Sequence, residues 1–80
     1  MEKILAIKLI KNEVEIILKK CKIKHVTDFD DEDIIIACTS KDGAKNVYNN
    51  LKSRFLNKKY WEYTSNIIIK NDYIVRINLY

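Results

Sequence analysis

Five of the eleven carboxylates of this 80-residue chain, Asp28, Asp30, Asp31, Glu32 and Asp33, fall within six consecutive positions. Carboxylates at alternate positions can converge on a hard cation, so the first chemistry to weigh is calcium binding. A calcium loop of the helix-loop-helix type needs a glycine at its sixth position and a bidentate Glu at its twelfth. Here those positions hold Asp33 and Thr39, and no metal site is expected. The run reads instead as the polar turn of a hairpin, which also limits edge-to-edge aggregation. The same five side chains form a candidate protein-binding patch for a Lys- or Arg-rich surface, because clustered charge steers encounter with a complementary partner.

A second candidate is K-K-Y-W-E-Y, Lys58 to Tyr63. Tyr60, Trp61 and Tyr63 suit a protein-binding hot spot, where Trp and Tyr are enriched. In the alternative, their rings stack on bases while Lys58 and Lys59 meet phosphates, with Lys19, Lys20, Lys22 and Lys24 as a further basic stripe. The use preferred for the segment as a whole is structural, Trp61 covering one end of the core with Tyr60 and Tyr63 beside it. In a strand, Tyr60 and Trp61 face opposite ways, which leaves at least one ring exposed.

Other chemistry is not visible. His25 is the only histidine and has no nucleophile or orienting carboxylate at a recognisable spacing. Cys21 and Cys38 lack the spacing of a metal or redox motif and are expected as free, buried thiols in a reducing compartment. Gly43, the single glycine, cannot cradle a phosphate alone. No enzyme activity and no cofactor are expected.

The elements that must position these residues follow from periodicity. Read as one helix, residues 2–20 place Ile4, Ile7, Ile10, Val14, Ile17, Leu18 and Cys21 on one stripe but strand Leu5, Leu9 and Ile16 on the opposite, charged side. Splitting the segment at Lys11 and Asn12 removes most of that conflict. Residues 3–10 become a strand with Leu5, Ile7 and Leu9 on one face, and Asn12 caps a helix with Glu15 in capping-box position. The split is preferred. Ile23 to Phe29 and Asp33 to Thr39 then form a hairpin, the second strand apolar on both faces and therefore interior.

Ser40 caps a second helix, with Ala44, Val47, Tyr48, Leu51 and Phe55 inward, ending around Asn57 to Lys59. Asn66 to Lys70 and Tyr73 to Tyr80 are strands joined at Asn71 and Asp72. The expected fold is α+β, a two-layer sandwich with ferredoxin-like βαββαβ order and an extra strand at the end. The alternative is αββαββ with a long first helix. An echo between LIKNEVEIIL and IIKNDYIVRI would make the N-terminal segment a hairpin.

Composition sets the remaining bounds. Eighty residues with 48% hydrophobic and 32% charged content make one small folded domain. No apolar run is long enough to span a bilayer and no cleavable leader is evident, so a cytoplasmic protein without membrane partners is expected. Outside the acidic run, fifteen cations face six carboxylates, a net charge of +9 hidden behind the overall +4. Fourteen Ile, thirteen Lys and eight Asn, against two Arg, one Gly and no Pro, are the preferences of AT-rich codons, which discounts the lysines as a functional signal.

Together these features suggest a small protein that binds another protein, in the manner of a phage or mobile-element accessory protein inhibiting a host defence complex. The alternatives are a nucleic-acid-binding module and a self-associating, homodimeric regulatory domain that senses a ligand.

Overall fold

Residues Lys3–Cys21 form one unbroken helix, α1. The computed structural model describes residues 2–29, 32–57 and 59–80, and of Asn57, Lys59 and Tyr60 the backbone only. The single helix overturns the preferred split at Lys11 and Asn12: residues 3–10 are not a strand, and Asn12 is exposed in mid-helix rather than a cap. The reason is a helical period that runs without interruption, burying Ala6, Ile10, Val14, Ile17 and Leu18, in a segment free of Pro and Gly. Lys22 closes α1 in the left-handed region (φ 52°, ψ 42°), its N–H donating to the Leu18 and Lys19 carbonyls.

After α1 come β1 (His25–Phe29), β2 (Asp33–Cys38), α2 (Lys41–Asn57), a short 3-10 helix η1 (Lys59–Tyr63), β3 (Thr64–Lys70) and β4 (Ile74–Leu79). The order αββαββ is therefore the alternative above, within the expected two-layer α+β class. The two orders are closely related, since moving the first strand of βαββαβ to the end of the chain produces αββαββ. The strings LIKNEVEIIL and IIKNDYIVRI fold differently, the first within α1 and the second as β3, turn and β4.

Local signals explain the second half. Ser40 Oγ accepts the Gly43 N–H at 2.9 Å, capping α2, and Asp42 lies in the first turn where the helix dipole favours it. A Cβ on Gly43 would lie 2.8 Å from Ser40 Oγ and 3.0 Å from Ile23 Cγ2, so glycine permits the close approach of α2 to Ile23 in the connection between α1 and β1. Asn71 and Asp72 both take positive φ in the turn between β3 and β4, which these residue types tolerate.

The sheet is antiparallel throughout, in the order β1-β2-β4-β3. Its inner face contributes Ile34, Ile36, Cys38, Ile67, Val75, Ile77 and Leu79, and these pack with Ala44, Val47 and Leu51 of α2 and the inner stripe of α1. The outer face carries no layer among the described residues. Its middle row runs Asp28, Ile35, Arg76, Ile68 across the four strands, and Val26 beside it is 73% exposed. Arg76 is held there by Asp33, Nη2 donating to Oδ2 at 2.6 Å. Asn78 Nδ2 donates to Asn66 Oδ1 across the neighbouring pair.

Candidate functional site

The acidic run divides. Phe29 and Ile34 are the last paired residues of the β1–β2 hairpin, so the polar turn lies where the sequence indicates. Asp28 and Glu32 are exposed, and Asp30 and Asp31 lie outside the described residues. Asp33 leaves the docking patch: its side chain is only 16% exposed and is engaged by Arg76. It belongs to the sheet, because its position opposite Asn78 on β4 makes Arg76, two residues along β4 and on the same face, its diagonal neighbour.

The aromatic cluster is also redistributed. Trp61 is 1% exposed and packs edge-on against Phe55, with ring centroids 6.4 Å apart and planes at 87°. It is a core residue and not a contact residue. The 3-10 turn of η1, not a strand, aims it inward against α1 and α2. Tyr63 is half-buried, and the Tyr60 side chain lies outside the described residues.

Among the lysines of the nucleic-acid alternative, Lys19, Lys20, Lys22 and Lys24 are exposed around the end of α1. Lys58 and the Lys59 side chain lie outside the described residues. Cys21 Sγ lies 3.8 Å from Asn50 Nδ2, while Glu13 pairs with Arg54 at 3.5 Å, so α2 runs antiparallel to α1 and η1 follows it at the far end. Cys21 is half-buried and Cys38 buried, both as free thiols. Burial, with Cys21 adding in the same direction, pushes the Cys38 thiol above its ordinary value.

What the structure brings together is a groove between α1 and β1. It has a volume of about 510 Å³ and is lined by Glu15, Leu18, Lys19, His25, Thr27 and Phe29. Leu18 and Phe29 supply the apolar floor, with the Lys11 ammonium 5.9 Å from the Phe29 ring centroid. His25 Nδ1–H donates to the Ile23 carbonyl at 2.6 Å, which fixes the ring and leaves Nε2 as its remaining hydrogen-bonding atom.

β1 is an edge strand, and its pairing phase decides which backbone groups are unused. The Thr39 N–H donates to the Lys24 carbonyl at 3.2 Å, so alternate residues Lys24, Val26 and Asp28 turn their backbone groups toward β2. His25, Thr27 and Phe29 therefore point theirs off the sheet, and the same three side chains line the groove. Charge is ordered along this edge. Lys19, Lys22 and Lys24 stand at its beginning, Asp28 and Glu32 at its end.

Sequence reading singled out neither Thr27 nor Phe29. The available sign was polar His25 and Thr27 alternating on the face that should be buried, the mark of a strand the helix layer does not fully cover. A second groove of about 460 Å³ occupies the related place between α2 and β3 but is bridged by Lys41 and Asp72 at 3.6 Å. Comparison with protein-family models, with curated proteins and with solved structures finds no match.

Proposed function

We propose that this is a non-enzymatic binding protein whose partner is another protein, taken up as an extended segment along β1. The observation that carries the reading is the coincidence of unused backbone groups and groove-lining side chains at His25, Thr27 and Phe29. Strand addition supplies affinity through the main chain and selectivity through alternate side chains. The five residues of β1 span about 17 Å, room for two or three inward-pointing partner side chains. The favoured partner segment places an apolar side chain over Leu18 and Phe29. It carries acidic residues beside Lys19, Lys22 and Lys24, and a basic residue beside Asp28 and Glu32. An accessory protein that occupies a host complex in the cytoplasm acts in this way without catalysis.

The test is affinity capture from a host lysate with wild type and Thr27→Pro. The Thr27 N–H points off the sheet, so proline removes an edge donor without breaking the β1–β2 ladder. A captured protein that disappears with Thr27→Pro, while circular dichroism stays native, supports the reading. Capture indifferent to Thr27→Pro and to Asp28→Ser with Glu32→Ser counts against it. Salt-sensitive oligonucleotide binding that depends on Lys19, Lys22 and Lys24 would favour the nucleic-acid alternative instead. That alternative has lost the Trp61 stacking platform to the core.

A further inference from the structure

The outward face of α1 is apolar where a surface helix ought to be polar. Leu5 is 50% and Ile16 56% exposed, and Leu9 lies half-buried between them. With Asn12, these residues follow one another at intervals of four, three and four, the spacing of a narrow heptad seam. Glu2 and Lys19, the next seam positions at either end, are charged and close it off, leaving about 17 Å of helix from Leu5 to Ile16.

The flanking charges select an occupant. In heptad terms Leu9 and Ile16 are a positions, Leu5 and Asn12 d positions, Lys8 and Glu15 g positions, and Glu13 and Lys20 e positions. In a parallel pair each g residue meets the e residue five places on in the other helix. Glu15 then faces Lys20 of the second copy. Lys8 faces the second copy's Glu13, which Arg54 already holds at 3.5 Å from the other side. Both contacts join opposite charges, and each occurs twice by symmetry.

Asn12 fixes the orientation. In parallel it meets Asn12 of the second copy, and each amide offers the donors and acceptors the other needs. In the antiparallel arrangement that pairs Leu5 with Ile16, it lies against Leu9, a buried amide facing a methyl group. We propose that two copies of this chain associate through the outward face of α1, in parallel, as a short two-stranded coiled coil. The sheet takes no part in the contact, and β1 of each copy stays accessible.

The seam is shorter than a standard interface, so the dimer is weak and concentration-dependent. Sedimentation velocity on the full chain, from about 10 µM to about 0.5 mM, is expected to show the mass rise from 9.5 kDa toward twice that value. Ile16→Lys, at an exposed position, is expected to abolish the rise with unchanged circular dichroism, and Asn12→Leu to strengthen association at least tenfold. Glu15→Lys should weaken it by setting like charges opposite each other, and adding Lys20→Glu in the same chain should restore it. A monomer at every concentration overturns the proposal, as does a dimer indifferent to Ile16→Lys. Restoration of Glu15→Lys by Lys8→Glu instead of Lys20→Glu overturns the parallel arrangement. A chain that stays monomeric but co-sediments with anionic vesicles assigns the face to lipid.

Discussion

The molecule is built from two copies of one plan, helix followed by two strands, and the copies differ in what they leave unsatisfied. In both halves the second strand is central, β2 beside β4, and the first strand is an edge. The second half is closed. Its helix turns Lys45, Asn46, Asn49 and Ser53 outward, with Leu56 as its one exposed large apolar side chain among the described residues, its edge groove is bridged by Lys41 and Asp72, and η1 adds Trp61, the largest fully buried side chain. The first half has only residues 22–24 between helix and edge strand, no counterpart of Trp61, and apolar residues on the outside of its helix. The second half supplies the anchor of the core, and the first half carries the open edge groove and the exposed apolar residues of α1.

Trp61→Ala puts the largest strain on this comparison and is expected to destabilise by about 3–5 kcal/mol, a large part of a small domain's stability. Phe29→Ala, at the half-buried groove floor, should cost no more than about 1–2 kcal/mol, because solvent fills the space left. Urea denaturation of both variants decides the matter, and equal losses would break the division. Next in size, Thr64 of β3 is 3% exposed with its hydroxyl unpartnered among the described residues. Thr64→Val should therefore raise stability by about 1 kcal/mol in the same assay.

The first half also holds both thiols, which makes it separately observable. Cys21 should react with a thiol reagent well before Cys38, and simultaneous labelling would mean that the first half opens as a unit. Because Cys38 is raised in the folded state, its contribution to stability is complete below the ordinary thiol range and is lost as pH rises through the folded value. In that alkaline range the unfolded chain gives up the proton first. Cys38→Val should flatten the decline seen in urea midpoints above pH 8.5 or so. The smallest effect is the stability change of Ile16→Lys, expected within about 0.5 kcal/mol. A larger loss would mean that the outer stripe supports the monomer fold.

The elements legible in the sequence are those with a single clear apolar stripe or alternation facing the chain's own core. In α2, Ser40, Asp42 and the inward stripe agree, and in β4 Val75, Ile77 and Leu79 alternate cleanly with Ile74, Arg76 and Asn78. α1 defeats the same reasoning because Leu5, Leu9 and Ile16 add a second apolar face, and periodicity read on the premise of a single core resolves the surplus by breaking the helix in two. Trp61 fills the core as its structural reading expects but leaves the contact cluster, for a different reason. Alternation along a strand decides facing only if there is a strand, and a 3-10 turn rotates consecutive side chains by about a third of a circle instead. The groove is not written in any local pattern, since it depends on how far α1 stands from the edge of β1. Asp33 is read as part of an acidic surface because its partner, Arg76, lies far along the chain.

The central position of β4 bears on the order of assembly. β4 follows β1, β2 and β3 in the chain yet is inserted between β2 and β3, and its pairs with β2 join residues about forty positions apart. Until it emerges during synthesis, the β1–β2 hairpin and β3 share no hydrogen bonds, and Ile34, Ile36 and Ile67 have no strand to complete the surface beneath the helices. Closure of the sheet thus waits on β4, which joins the hairpin to β3 from within.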